Sequence, residues 1–199
     1  MPTRTVRRLT TMTLALAAAL TWVSAAHAAG AVNIDSCQTL SIPNTVYKLT
    51  ANLVSCGDCL VVAADKITID MQGHSITAPG CPPDGPPFAA ITDLGLTPDR
   101  IVVRNGTVAG YSFGVQLGNS TRVSVLGVTA ENNAQTGIQA GTQSLVKSSQ
   151  ASGNQVGIFL VGPRGQVQQS NAHDNTIIGI AVFGDNCLIT ANTANTNGP

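Results

Sequence analysis

Lys66 to Gly80 reads KITIDMQGHSITAPG and sets Asp70 and His74 four residues apart, with Gln72 between them. A carboxylate and an imidazole are the groups that move protons in acid–base catalysis. A second set with that chemistry is Glu131 with His173 and Asp174. Two carboxylates and a histidine suit glycoside hydrolysis if they converge. A third set is cationic. Lys66, Arg100 and Arg122 each stand immediately before a β-branched run, and Arg104 follows within one. An arginine fork binds a carboxylate bidentately, so this set suits an anionic polysaccharide. Asp65 and Asp99 precede the first two cations and neutralise part of the stripe.

The bulk numbers narrow where such chemistry operates. Residues 1–28 read as a signal peptide: Arg4, Arg7 and Arg8, then an apolar run too short to span a bilayer, then a small-residue cleavage site ending at Ala28. No later stretch reaches the roughly 20 apolar residues of a membrane helix. The expectation is a secreted or periplasmic protein without a membrane span. Beyond the leader stand seven Lys and Arg against ten acids, a net charge of −3. Nucleic acid binding calls for a basic face, so it is not expected.

The five cysteines, 37, 56, 59, 81 and 187, all follow the leader. In an exported chain paired cysteines are disulfides. Cys56-Gly-Asp-Cys59 is a C-x-x-C, but a redox role needs a thioredoxin-like βαβ context and a zinc role needs more ligands nearby. Neither context is visible. An odd count leaves one cysteine over, and Cys187 is the isolated one.

The elements that position these groups show in a repeat. Gly-Val/Ile recurs as Gly114-Val115, Gly137-Ile138, Gly157-Ile158 and Gly179-Ile180. A second apolar mark, Ile101, Val123, Leu145, Val167 and Ile189, recurs every 22 residues, and Asn132, Asn154, Asn175 and Asn197 close the units. The units hold short β-branched runs with Gly and Asn punctuation and no helical period. Strand-only repeats of this length predict a parallel β-solenoid with coils about 4.8 Å apart. Cys59-Leu60 and Ala90-Ile91 occupy the same slot in earlier coils. The four prolines between Gly80 and Phe88 exclude a central strand and predict a protruding loop.

Stacking turns local motifs into columns. Asp70 and Arg104 each lie three residues after an aligned isoleucine, Ile67 and Ile101, and are expected to pair across adjacent coils. Lys66, Arg100 and Arg122 form a second column. Aligning Asn132, Asn154 and Asn175 puts Glu131, Gly153 and Asp174 in a third, with the two acids about 10 Å apart by simple stacking. Tyr111 and Phe113 alternate, so only one can face the core. Phe159 and Phe183, after their Gly-Ile marks, are expected in the core or in lateral packing.

ITIDMQGHSITAPG followed by IVVRNGTVAGYSFGVQL resembles the right-handed parallel β-helix repeat family of the pectate-lyase-like superfamily. The resemblance runs from about Cys37 to Asn197. It implies an all-β, right-handed parallel β-helix, here of about six coils with some 22 residues each over 59–199, behind a disulfide-closed segment at 29–58. It further implies a bridge between Cys37 and Cys56, with Cys59 and Cys81 the candidates for another. The family holds non-catalytic carbohydrate-binding modules, lyases that use Ca²⁺-ligating acids with an Arg or Lys base, and hydrolases with clustered aspartates. The lyase and hydrolase signatures are absent, and Asn171 to Asn175 matches the epimerase signature only loosely. The expectation is an exported carbohydrate-binding or surface module. The alternatives are a polysaccharide lyase or hydrolase using Glu131, His173 and Asp174, and a structural fragment. No cofactor is evident, and Ca²⁺ enters only under the lyase alternative. The chain stops partway through a coil, at ITANTANTNGP, so the last apolar layer is expected to pair with a continuation or a partner.

Overall fold

A computed structural model describes residues 30–80 and 88–198. The signal peptide, Cys81 and most of the proline-rich segment lie outside the described residues. Every named strand pairing is parallel, and no helix occurs among the described residues. The strands stack into three faces of a β-solenoid.

The first face runs from Ala31–Ile34 and Val46–Leu49 through Thr68–Asp70 to Leu188–Thr190. The second runs from Leu53–Val54 and Ser75–Thr77 through Gln150–Ser152 and Asn171–His173 to Thr193–Asn195. The eight-residue strands Val102–Ala109 and Ser124–Glu131 turn the corner unbroken and join these two faces into one 13-stranded sheet. The third face is a separate seven-stranded sheet, Gln38–Leu40 to Ile178–Phe183. Its seven strands mark about seven turns. The sequence marks gave about six, because Gln38–Leu40 already pairs with Leu60–Val62 as a coil of the same kind.

Alternation fills the interior. Ile69, Val103, Val125, Val146 and Val167 stack from the first face. Leu60, Ile91, Val115, Ile138 and Ile158 stack from the third. All of these are fully buried, so each coil adds its apolar side chains to one continuous column. The Gly-Ile marks are thus in true register. The 22-residue mark is not. Ser124 pairs with Leu145 and Leu145 with Gln166, so two coils are 21 residues long. Leu145 consequently points outward, and Val146 takes its place inside.

The glycine of each Gly-Ile mark has a physical cause. A Cβ on Gly137 would lie 2.8 Å from the Asn154 amide nitrogen and from the Gly157 carbonyl oxygen. A Cβ on Gly157 would lie 2.8 Å from the Asn175 amide nitrogen and 2.5 Å from the Gly179 carbonyl oxygen. The asparagines occupy the space that the missing side chains leave. They form a buried ladder in which Asn133 donates its backbone N–H to Asn154 Oδ1, Asn154 to Asn175 and Asn175 to Asn197, at 2.9–3.1 Å. Its first rung is Asn133, not Asn132, which sits in the preceding turn at φ 54°.

The disulfide also follows the stack. Cys37 bonds Cys59, with Cα atoms 4.4 Å apart and 22 residues, one coil, between them. Both precede a paired residue, Gln38 and Leu60, so register brings them face to face. This corrects the Cys37–Cys56 and Cys59–Cys81 pairings. Cys56 is itself disulfide-bonded, and Cys187 is free. A disulfide points to an oxidising, non-cytoplasmic compartment. No helix among the described residues is long and apolar enough to cross a membrane.

Candidate functional site

The second face carries two outward columns of side chains. One is Ser75, Thr107, Thr129, Gln150, Asn171 and Thr193, and the other Thr77, Ala109, Glu131, Ser152, His173 and Asn195. Ile76, Val108, Ala130, Ala151 and Ala172 between them point inward and are buried. Hydroxyls and amides therefore repeat every 4.7–4.9 Å along the stack and about 6.6 Å across it. Charge is confined to Glu131, His173 and the adjoining Asp174.

Register brings Glu131 and His173 into one column with Ser152 between them. Asp174 stands one residue further on, in a corner column with Gly110, Asn132 and Gly153, all at positive φ. The expected Glu131–Gly153–Asp174 column does not form, because Asn133 rather than Asn132 carries the ladder. What does form is a contact between neighbours: His173 Nδ1 lies 2.7 Å from Asp174 Oδ2. The bond from His173 holds the Asp174 carboxyl below its ordinary value, and a further bond from Thr196 adds to this. With Asp174 ionised, His173 donates from Nδ1, and its Nε2 accepts from the Gln150 amide at 3.1 Å. Both ring nitrogens are occupied. Glu131, two coils away, is about 10 Å off by stacking.

Next to this face runs a shallow groove of 410 Å³, following the corner between the second and third faces. Asn132, Gly153, Gln155 and Thr176 line it, with Tyr111 at one end. Tyr111 is the one of the alternating aromatic pair that is buried, and its hydroxyl donates to the Thr77 carbonyl at 3.4 Å. Burial, with the Asp58 charge, pushes its phenol up to about 12, so it stays a neutral donor.

The cationic candidates occupy a different corner, between the third and first faces. Lys66, Arg100 and Arg122 stack there as expected, each in the left-handed region, with φ from 52° to 59°. Their backbone N–H groups donate to the next coil, at Asp99, Thr121 and Thr142. Gln143 and Arg164 continue the column at φ 58° and 60°. Sequence spacing missed Arg164, because the 21-residue coils shift it out of the 22-residue count. Asp99 bridges Arg100 at 3.0 Å and also binds Arg122. Desolvation raises the Asp99 carboxyl, but bonds from Arg122, Thr121 and Arg100 outweigh it and hold it at about 2. Arg104 is four residues further along, on the first face, where it meets Asp70 at 2.8 Å as the stacking predicts. Asn105 also donates to Asp70. Asp70 is thus a structural acid. His74, at the neighbouring bend, lies 3.3 Å from Asn52 Oδ1, away from the other titratable candidates.

Phe159 and Phe183 lie outside the third face, not in the core. They pack edge to face with centroids 5.6 Å apart. Their columns alternate outward from the inward Ile158 and Leu160. Among the described residues no group of three or more His, Cys, Asp and Glu could hold a metal ion. No family model, curated protein or solved structure matches the chain.

Proposed function

We propose that the protein is an exported, non-catalytic carbohydrate-binding module of the pectate-lyase-like β-helix type, and that its second face is the binding surface. The observation that carries this is the pair of hydroxyl and amide columns from Ser75 to Asn195. A glycan laid along the stack meets the same donors and acceptors at every coil. Three features favour binding over turnover. Glu131 and Asp174 are in different columns, His173 has both nitrogens engaged, and the arginines belong to other parts of the surface. The face is faintly acidic, which suits a neutral glycan better than a polyuronate.

A glycan array, followed by titration with the glycans that bind, tests the reading. Gln150→Ala and Asn171→Ala are expected to weaken binding at least about tenfold together, on the order of 1 kcal/mol for each lost hydrogen bond. Reducing-end and unsaturation assays on the same glycans are expected to stay flat. Turnover that Asp174→Asn abolishes would establish the lyase or hydrolase alternative instead. Absence of binding to any glycan would favour the structural one.

A further inference from the structure

The two ends of the stack differ. In the first coil Ile34 is 2% exposed and Leu40 0%. In the last, the inward columns reach the surface. Ile189, which continues the buried Val167, is 53% exposed, and Ala194, above the buried Ala172, is exposed as well. Leu188 and Phe183 flank them.

Two side-chain ladders state what chemistry fits this open end. At the second corner, Asn133, Asn154, Asn175 and Asn197 each pass a backbone N–H to the oxygen of the next. At the first corner, Val128 donates to Ser149 Oγ, Ser149 to Ser170 Oγ and Ser170 to Asn192 Oδ1. Every rung accepts from the coil before it and donates to the coil after it. The ladders end at Asn192 and Asn197. Both accept from below, but their own backbone N–H groups have no acceptor among the described residues. The end face therefore presents two donors at two corners, with an apolar column between them.

A second copy of the chain does not match that pattern. Approached through the same end, it sets N–H against N–H. Approached through its first coil, it offers no rung, since the asparagine ladder begins at Asn133 and the serine ladder at Ser149. We propose that the open end is a docking face for one coil of a β-solenoid partner in parallel register, bearing Ser or Asn at both corners. Its side-chain oxygens accept from Asn192 and Asn197, and its inward apolar residues cover Ile189 and Ala194. The ladder-matched coil is the same interface that already joins each coil to the next within the chain.

Cys187 reports on this face. It stands in the inward column of Ile101 and Val123, half-buried, with its thiol 3.7 Å from the Gly162 carbonyl. A docked coil covers it. The test measures the alkylation rate of Cys187 by iodoacetamide in the protein alone and with a peptide repeating residues 177–198, in which the cysteine copy is Ser. The same repeat fused after the chain removes the entropy of a free peptide and serves as the second arm. Coverage is expected to slow alkylation at least about tenfold, because reaction then requires local opening. Repeats carrying Asn192→Leu and Asn197→Leu change nothing below the new coil; replacing those two asparagines in the host by Leu buries the ladder ends and should abolish the protection in both arms, while a scrambled repeat gives none. Unchanged alkylation in both arms overturns the proposal, as does protection that survives the host Asn→Leu pair. Slowing with protein concentration alone, with a dimer in sedimentation, assigns the face to a second copy and overturns the partner named here.

Discussion

Asp99 holds three donors at one carboxylate: Arg100, Arg122 and Thr121. Its folded-state value of about 2 lies below the ordinary value of about 4. A depressed carboxylate adds stability that is fully present above about pH 4 and lost as pH falls through about 2. Asp99→Asn is therefore expected to lower stability at neutral pH by about 1 kcal/mol, the scale of a solvent-screened network. It should also flatten the acid limb of the stability profile between about pH 4 and pH 2. Denaturant melts of both proteins from neutral pH into acid check it, and parallel acid limbs would exclude it. At this scale legibility depended on the anchor. Asp70–Arg104 and the Lys66 column could be read because Ile67 and Ile101 fix adjacent coils. The Glu131 column could not, because Asn132 and Asn133 are adjacent and identical in type, and only the packing against Gly114 selects Asn133 as the rung.

The Gly-Ile mark and the asparagine ladder are one element seen from two sides. Gly157→Ala drives a methyl against the Gly179 carbonyl and the Asn175 amide, and neither is a flexible tip. Overpacking of this kind costs about 1–3 kcal/mol. The expected result is a lowered thermal midpoint with weakened amide protection at Asn154 and Asn175, read by calorimetry and hydrogen exchange. A variant with wild-type stability would show that the ladder yields freely. The glycine and asparagine periods were visible in the sequence because each uses one residue type. The serine ladder was not, because Val128, Ser149, Ser170 and Asn192 mix three types in one role. The Cys37–Cys59 bridge was misassigned for a related reason: loop proximity in sequence says less than coil register does.

Across the whole molecule, each coil touches only its neighbours, so stability is distributed along one axis. The central coils, from Val102–Ala109 to Thr136–Ala140, have neighbours above and below. The last coil has one neighbour and exposed inward residues, while the first is tied by the Cys37–Cys59 bond. Amide exchange is expected to be slowest in the centre, intermediate at the bonded end and fastest in Leu188–Thr190 and Thr193–Asn195, since opening free energies follow local burial. Native-state exchange followed by mass spectrometry resolves that gradient; uniform protection would mean that the open end is covered in solution. The fold class was legible because periodicity survives in every coil. Activity was not, because in a solenoid functional groups meet across coils and a one-residue difference in coil length moves them apart.

The two 21-residue coils carry a lesson about how such a chain changes with time. A residue lost inside a strand flips every following side chain to the other face until the next turn. A residue lost at a corner alters nothing beyond it, because the glycine–asparagine lock resets the alignment before the next strand begins. Insertions and deletions are thus filtered by place rather than by size. Descendants of this sequence are expected to drift in length at their corners long before they drift in pattern, with each coil keeping its own reading frame.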